Sequence, residues 1–327
     1  MRRLLLAVAT PLAALLAIRP VANRIARRLM DAPRTAPGED ALRPAVEALG
    51  GEVVRLLARD GTRLSGRWLP AEPGAPDDAW APDPREAILL LHGWTGSVAP
   101  DLVAHGPFLR RTANVLGLDF RGHGGSDDGP TTFGALEVED VAGALSWLGE
   151  RGIRRVALVG SSMGGVVALA AVAALGDGRL AAADADPDAP AGVTGPPRPR
   201  IVAVVVESVT PELALLVARR LRVPLGRRLG EQAFGAVARV AGVDPRGTEP
   251  VRAIRLLEDV PLLLVGGDAD AIVTPRDADR LAAAAPVGTG RLMVAGAAHG
   301  DAHAVDPAAY EAAVGGHLRS AFRGARS

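Results

Sequence analysis

The sequence predicts an α/β fold: a doubly wound, mostly parallel sheet opened by an antiparallel hairpin and carrying a small helical lid. Three observations lead there. Short continuous apolar runs recur along the chain, helical stretches alternate with them, and one run ends in a serine turn flanked by glycines. Continuous apolar runs of this length suit strands buried on both faces of a parallel sheet, and alternation of strand and helix builds such a sheet.

The chain opens differently from the rest. Arg2 and Arg3 precede an apolar run from Leu4 to Ile18, and Arg19, Arg24, Arg27 and Arg28 follow. A basic start and an apolar run of about fifteen residues read as an uncleaved membrane anchor over residues 1–30, with its side of the membrane open. A cleaved signal of a secreted protein is one alternative, and an amphipathic or buried helix is the other. Residues 31–50 read as a Pro- and Ala-rich linker with room for a short helix. The main domain is then 51–327.

Val53, Val54, Leu56 and Leu57, the Asp60-Gly61 turn and the alternating Leu64, Gly66 and Trp68 predict a hairpin over 52–69. Later strands are expected at Ala87–Leu91, Val115–Leu118, Val156–Val159, Ile201–Val206, Pro261–Val265 and Leu292–Ala295. The clearest helices are at 135–148, 163–175, 276–285 and 307–322. Residues 176–200, rich in Ala, Asp, Pro and Gly, read as a surface insertion. Residues 210–258 carry helical signals without a strand and would form a lid over one sheet edge.

Composition removes whole classes of chemistry. All 37 basic residues are Arg, and no Cys occurs. Thiol nucleophiles, disulfides, Cys-ligated metals, P-loop lysines and Schiff bases are therefore excluded. The 37 acidic residues bring the formal charge to +0, so no nucleic-acid surface is expected. Nothing calls for a cofactor. The spacing of His299, Asp301 and His303 would admit a metal, but without Cys or a second histidine cluster none is expected. Nucleophilic work is left to Ser, Thr, Asp, Glu and six His.

The segment Val156 to Gly165 runs strand, then Gly160-Ser161-Ser162-Met163-Gly164, then helix. This G-x-S-x-G spacing puts Ser162 at the tip of a strained strand-to-helix turn, where small neighbours are required and the helix N-terminus faces developing negative charge. The bland reading is a glycine turn that only lets helix and strand pack. A second loop, His92-Gly93-Trp94-Thr95-Gly96, follows Leu89-Leu90-Leu91. It suits an oxyanion loop, with the amides of Trp94 and Met163 as donors and His92 in a structural role. His123 lies in a Gly-rich loop and reads as turn support or pocket lining, while His105 and His317 read as surface residues.

These motifs, with Asp119-Phe120-Arg121-Gly122-His123-Gly124-Gly125-Ser126 and the Glu139-Asp140-Val141 helix, resemble the serine α/β-hydrolases of the esterase and lipase kind over about residues 52–322. The short N-terminal segment is similar to the anchor of some bacterial members. The resemblance implies a triad in the order Ser, acid, His. Its G-x-x-D-x-x-V pattern falls on Gly267, Asp270 and Val273, which makes Asp270 the acid, with Asp268 and Glu207 as alternatives. The base after the last strand is His299, with His303 as the alternative. The expected function is cleavage of carboxylic esters or related acyl substrates through an acyl-enzyme. Acyl transfer or perhydrolysis on the same triad, and a non-catalytic binding protein of the same fold, are the other readings. Oligomeric state is not readable.

Overall fold

A computed structural model describes residues 18–72, 80–176, 198–221, 226–257 and 259–326. Residues 18–30 form a helix, α1. A 3₁₀ turn at Glu39–Leu42 leads into α2 (Arg43–Ala48), then the hairpin strands β1 (Glu52–Leu57) and β2 (Arg63–Leu69). The alternating part follows: β3 (Glu86–Leu91), α3 (Ala99–Leu109), β4 (Asn114–Asp119), α4 (Glu137–Glu150), β5 (Arg155–Ser161), α5 (Met163–Leu175) and β6 (Arg200–Glu207). After the helices α6 (Leu213–Leu221), α7 (Gly226–Ala241) and α8 (Pro250–Ala253) come β7 (Leu262–Gly267), α9 (Pro275–Ala284), β8 (Gly290–Val294), α10 (Ala302–Val305) and α11 (Pro307–Arg326).

The eight strands form one sheet in the order β1-β2-β4-β3-β5-β6-β7-β8. β1 and β2 pair antiparallel with Leu56 opposite Leu64, β2 pairs antiparallel with β4, and every later pairing is parallel. β1 is an edge strand with one wet face, so Val54 and Leu56 are buried while Val53 and Leu57 face out. β3 and β4 are buried at every position, as strands covered on both faces must be.

Strand residues alternate between two cores because their side chains alternate across the sheet. Leu89, Leu116, Leu158, Val204 and Leu264 join α4, α5 and α9 on one face through Val141, Leu145, Val167 and Leu281. Ile88, Val115, Val159, Val205 and Leu263 join α3 and α11 on the other face through Leu102, Phe108, Val314, Leu318 and Phe322. The uninterrupted apolar runs of the sequence are the sum of these two half-patterns. The sequence holds no clear signal for α3, because Pro100, Gly106 and Pro107 fall within it. Pro100 sits in the first turn, where no N–H bond is lost.

The expected membrane anchor is corrected here. Among the described residues no helix is long and apolar enough to cross a membrane. Residues 18–30 carry four arginines, and the apolar side of this helix is spent on the protein itself: Ala22, Ala26, Leu29 and Met30 are buried, with Ala26 and Met30 against Ala236 and Val237 of α7. Apart from Ile18, the run Leu4–Ile18 lies outside the described residues, as does nearly all of the insertion expected at 176–200. The stretch read as a linker is pinned to the body. Arg34 bonds the carbonyls of Gly124 (3.0 Å) and Ser126 (2.6 Å), and Glu39 accepts from the Ser97 hydroxyl.

Candidate active site

Ser162 stands between β5 and α5 with φ 51° and ψ −113°, a region that non-glycine residues avoid. Such a conformation persists only where the surroundings hold it. Here the Ser162 amide donates to Glu207 O (2.8 Å), and its own carbonyl accepts from Val166 N (3.1 Å). The glycines are sterically required. A Cβ on Gly164 would overlap the Leu91 carbonyl, and one on Gly160 would overlap the Gly164 backbone.

His299 and Asp270 reach Ser162 from the loops after β8 and β7. His299 Nε2 lies 3.0 Å from Ser162 Oγ, and His299 Nδ1 lies 2.8 Å from Asp270 Oδ2. A carboxylate only accepts, so Nδ1 carries the proton and Nε2 is left to accept from the serine hydroxyl. Asp270 Oδ1 takes the amides of Ile272 and Val273, both at 2.7 Å. Burial pushes this carboxyl up. The bonds from His299 and Val273, the His299 charge and the Ile272 amide outweigh it and hold Asp270 below the ordinary aspartate value.

The other acids and histidines lie elsewhere. Asp268 accepts from Gly296 N (2.6 Å) and stabilises a turn. Glu207 is buried, accepts from Ala302 N (3.0 Å) and the Tyr310 hydroxyl (3.2 Å), and is raised by that burial. His303 faces Glu311 (3.3 Å). His92 accepts from Phe120 N (3.1 Å) and faces Gly93 O (2.7 Å), bracing its loop. His123 bridges the carbonyls of Arg121 (2.9 Å) and Trp94 (2.8 Å). His105 is not a surface residue: it is buried, with its ring stacked on Tyr310 at 5.4 Å. His317 is half-buried. Among the described residues no cluster suited to a metal ion occurs.

Trp94, Met163, Ser162 and His299 line one narrow recess with Phe133, Ser208, Leu213, Leu216 and Arg220. Neither the Trp94 nor the Met163 amide has a protein acceptor among the described residues. The Gly93 backbone lies beside Ser162, so that a Cβ there would only touch Ser162 Cβ at 3.8 Å. Three non-glycine residues among those described have positive φ, namely Phe133, Ser162 and Ser208, and all three line this recess. Phe133 and Ser208 carry no sequence signal, because tertiary packing sets their φ. Ser208 Oγ accepts from Gly300 N (3.1 Å), which steadies the loop beside His299.

A serine on a strand-to-helix turn over a parallel sheet, bonded to a histidine that is bonded to a carboxylate, defines a hydrolase of the α/β type. The sequence profile described as the alpha/beta hydrolase family matches residues 88–313, and the chain belongs to that family. The protein YfhR of Salmonella typhi is 26% identical over 259 residues, covering 77% of this chain and 75% of that protein. YfhR of Escherichia coli K12 is 27% identical over 237 residues, covering 70% of this chain and 66% of that protein. In structure, the chain is similar to the esterase Pf2001 of Pyrococcus furiosus, with TM-score 0.61 at 20% identity over 89% of this chain and 98% of the other. A thermophilic esterase from Thermogutta terrifontis gives TM-score 0.53 at 17% identity over 83% and 99%. These structural likenesses establish the fold.

Proposed function

We propose that the protein hydrolyses carboxylic esters through Ser162, His299 and Asp270. The observation that carries this reading is the unbroken chain of hydrogen bonds from Asp270 through His299 to Ser162 Oγ. His299 takes the serine proton as Oγ attacks the acyl carbonyl. Asp270 holds the imidazole and stabilises its cation. The amides of Trp94 and Met163 receive the oxyanion, with the N-terminus of α5 adding its dipole. His299 then protonates the leaving alcohol, and a water activated by His299 releases the acid from the acyl-enzyme.

The segment 210–258 acts as a lid in this scheme. Leu213, Leu216 and Arg220 of α6 close the recess over Ser162, leaving about 20 Å³ of free space. That volume suits a water and not an acyl group, so α6 shifts for substrate to enter. The lining of Phe133, Val166, Leu213, Leu216 and Val273 suits an apolar acyl portion.

The test is turnover of 4-nitrophenyl esters of increasing acyl length. Wild type should cleave them, and Ser162→Ala should lose at least about 10³-fold in kcat. Near wild-type turnover by Ser162→Ala would refute the reading.

A further inference from the structure

Trp94 is the wall between two recesses. On one side lies the apolar slot over Ser162. On the other is an open recess of about 950 Å³ lined by Arg24, Arg27 and Arg28 of α1, with Asp31 as its one carboxylate. Arg220 stands at the boundary: it lines the slot, and its guanidinium lies 5.6 Å from the Trp94 ring centre. All four arginines are exposed, and none has a carboxylate partner among the described residues. Their neighbours differ. Arg34 pairs with Asp128 at 2.6 Å, Arg63 with Asp127 at 2.9 Å, and Arg219 with Asp277 at 2.5 Å. The wall is rigidly placed, because Trp94 Nε1 donates to Leu29 O (2.9 Å) and Trp94 O takes His123 Nε2 (2.8 Å). The bond to Leu29 fixes α1, and hence its arginines, against the loop that carries the Trp94 amide.

We infer that the ester carries an anionic group, a carboxylate or a phosphate, on its alcohol portion, and that Arg24, Arg27, Arg28 and Arg220 hold it beside Trp94. This rests on the ester-hydrolase reading above. A guanidinium offers paired N–H donors that match a carboxylate or phosphate edge, and unpaired cations around one mouth raise the local concentration of anions. The slot is walled mainly by apolar side chains, with Arg220 at its rim, whereas three arginines, Arg24, Arg27 and Arg28, gather in the recess beside Met30, Pro33 and Pro130. A substrate with its carbonyl at Ser162 therefore places its acyl part in the slot and its charged alcohol part across Trp94. The dipole of α1 favours cations in its last turn, which accounts for Arg27 and Arg28 but not for Arg24 or Arg220.

The experiment compares 4-nitrophenyl butyrate with its 3-carboxy derivative on wild type and on an Arg24→Gln/Arg27→Gln variant, with Arg220→Gln as a separate variant. Wild type should prefer the anionic ester by about tenfold in kcat/KM, mostly through KM, and the preference should shrink from 0.05 M to about 1 M salt as screening shortens. Each variant should bring the ratio toward one. A parallel arm needs no turnover: succinate and inorganic phosphate are titrated by calorimetry into Ser162→Ala, with and without the arginine substitutions. Binding that weakens at least about fivefold in the arginine variants supports the site, and the tighter of the two anions names the group. A wild-type ratio of one or below, a ratio untouched by the variants, or no anion binding overturns the proposal. Loss of melting temperature without change in the ratio does so too, since it would leave the arginines a structural role. If neither ester is cleaved but the anions bind through the arginines, the ester reading fails and the anion site stands.

Discussion

Asp270 sits where two amides and an imidazole oppose burial for control of one negative charge. Its position predicts a sharp ranking. Asp270→Asn should lower kcat by about 10⁴-fold, because the amide cannot hold the correct tautomer of His299. Asp268→Asn and Glu207→Gln should stay within about tenfold, since those carboxylates bond a turn and the Tyr310 hydroxyl. Steady-state rates on one ester rank the three. If Glu207→Gln proved the more damaging, the acid would belong to β6. Ser162, read from its spacing, and Asp270 and His299, implied by the resemblance, lie in one hydrogen-bonded chain. Ser162 directly follows β5, while Asp270 and His299 lie in the loops after β7 and β8, and the parallel sheet brings those strand ends to one edge. The positive φ of Phe133 and Ser208 and the burial of His105 arise from contacts distant in sequence. No local pattern marks them.

At the scale of elements, α6 lines the recess over Ser162 and packs with α7, which packs in turn with α1. α6 and α7 pack with their backbones almost touching, as Gly230 lies too close to Ala214 for a Cβ. α1 closes against α7 through Ala26 and Met30. Arg219 fastens α6 down, bonding Asp277 of α9 and the carbonyl of Ile272 (2.6 Å) in the loop that holds Asp270. Arg219→Gln should cost about 2 kcal/mol in chemical denaturation, as one partner of a largely buried pair is lost. It should also raise the kcat/KM ratio of long-chain to short-chain esters, because α6 is held less firmly. An unchanged ratio alongside lowered stability would show that α6 does not gate entry. The central strands were legible because each buries both faces. α1 was not, since an apolar stripe flanked by arginines reads alike whether its partner is lipid or α7.

Across the whole molecule, the formal charge of +0 hides carboxyl groups placed at a cost. Under the sheet edge, burial and the nearby Glu207 push Asp101 up to about 7, in the company of His105, which burial and His303 push down to about 3. The sign is set by the folded value lying above the unfolded one. The group adds no penalty at about pH 4, and stability is lost as pH rises toward 7. Asp101→Asn should therefore gain about 2 kcal/mol over wild type at pH 8 and little at pH 4, a figure tempered by the 19% exposure of the side chain. Urea denaturation at the two pH values checks this, and an equal gain at both would contradict it. The most direct measurement of the account as a whole is covalent labelling with an organophosphonate ester, read by intact mass and peptide mapping. One adduct should form, on Ser162 and not on the adjacent Ser161. It should vanish in Ser162→Ala, slow severely in His299→Ala, and persist in Ser161→Ala and His303→Ala. A label on Ser161, or labelling at an undiminished rate without His299, would contradict the assignment of Ser162 and His299 as nucleophile and base.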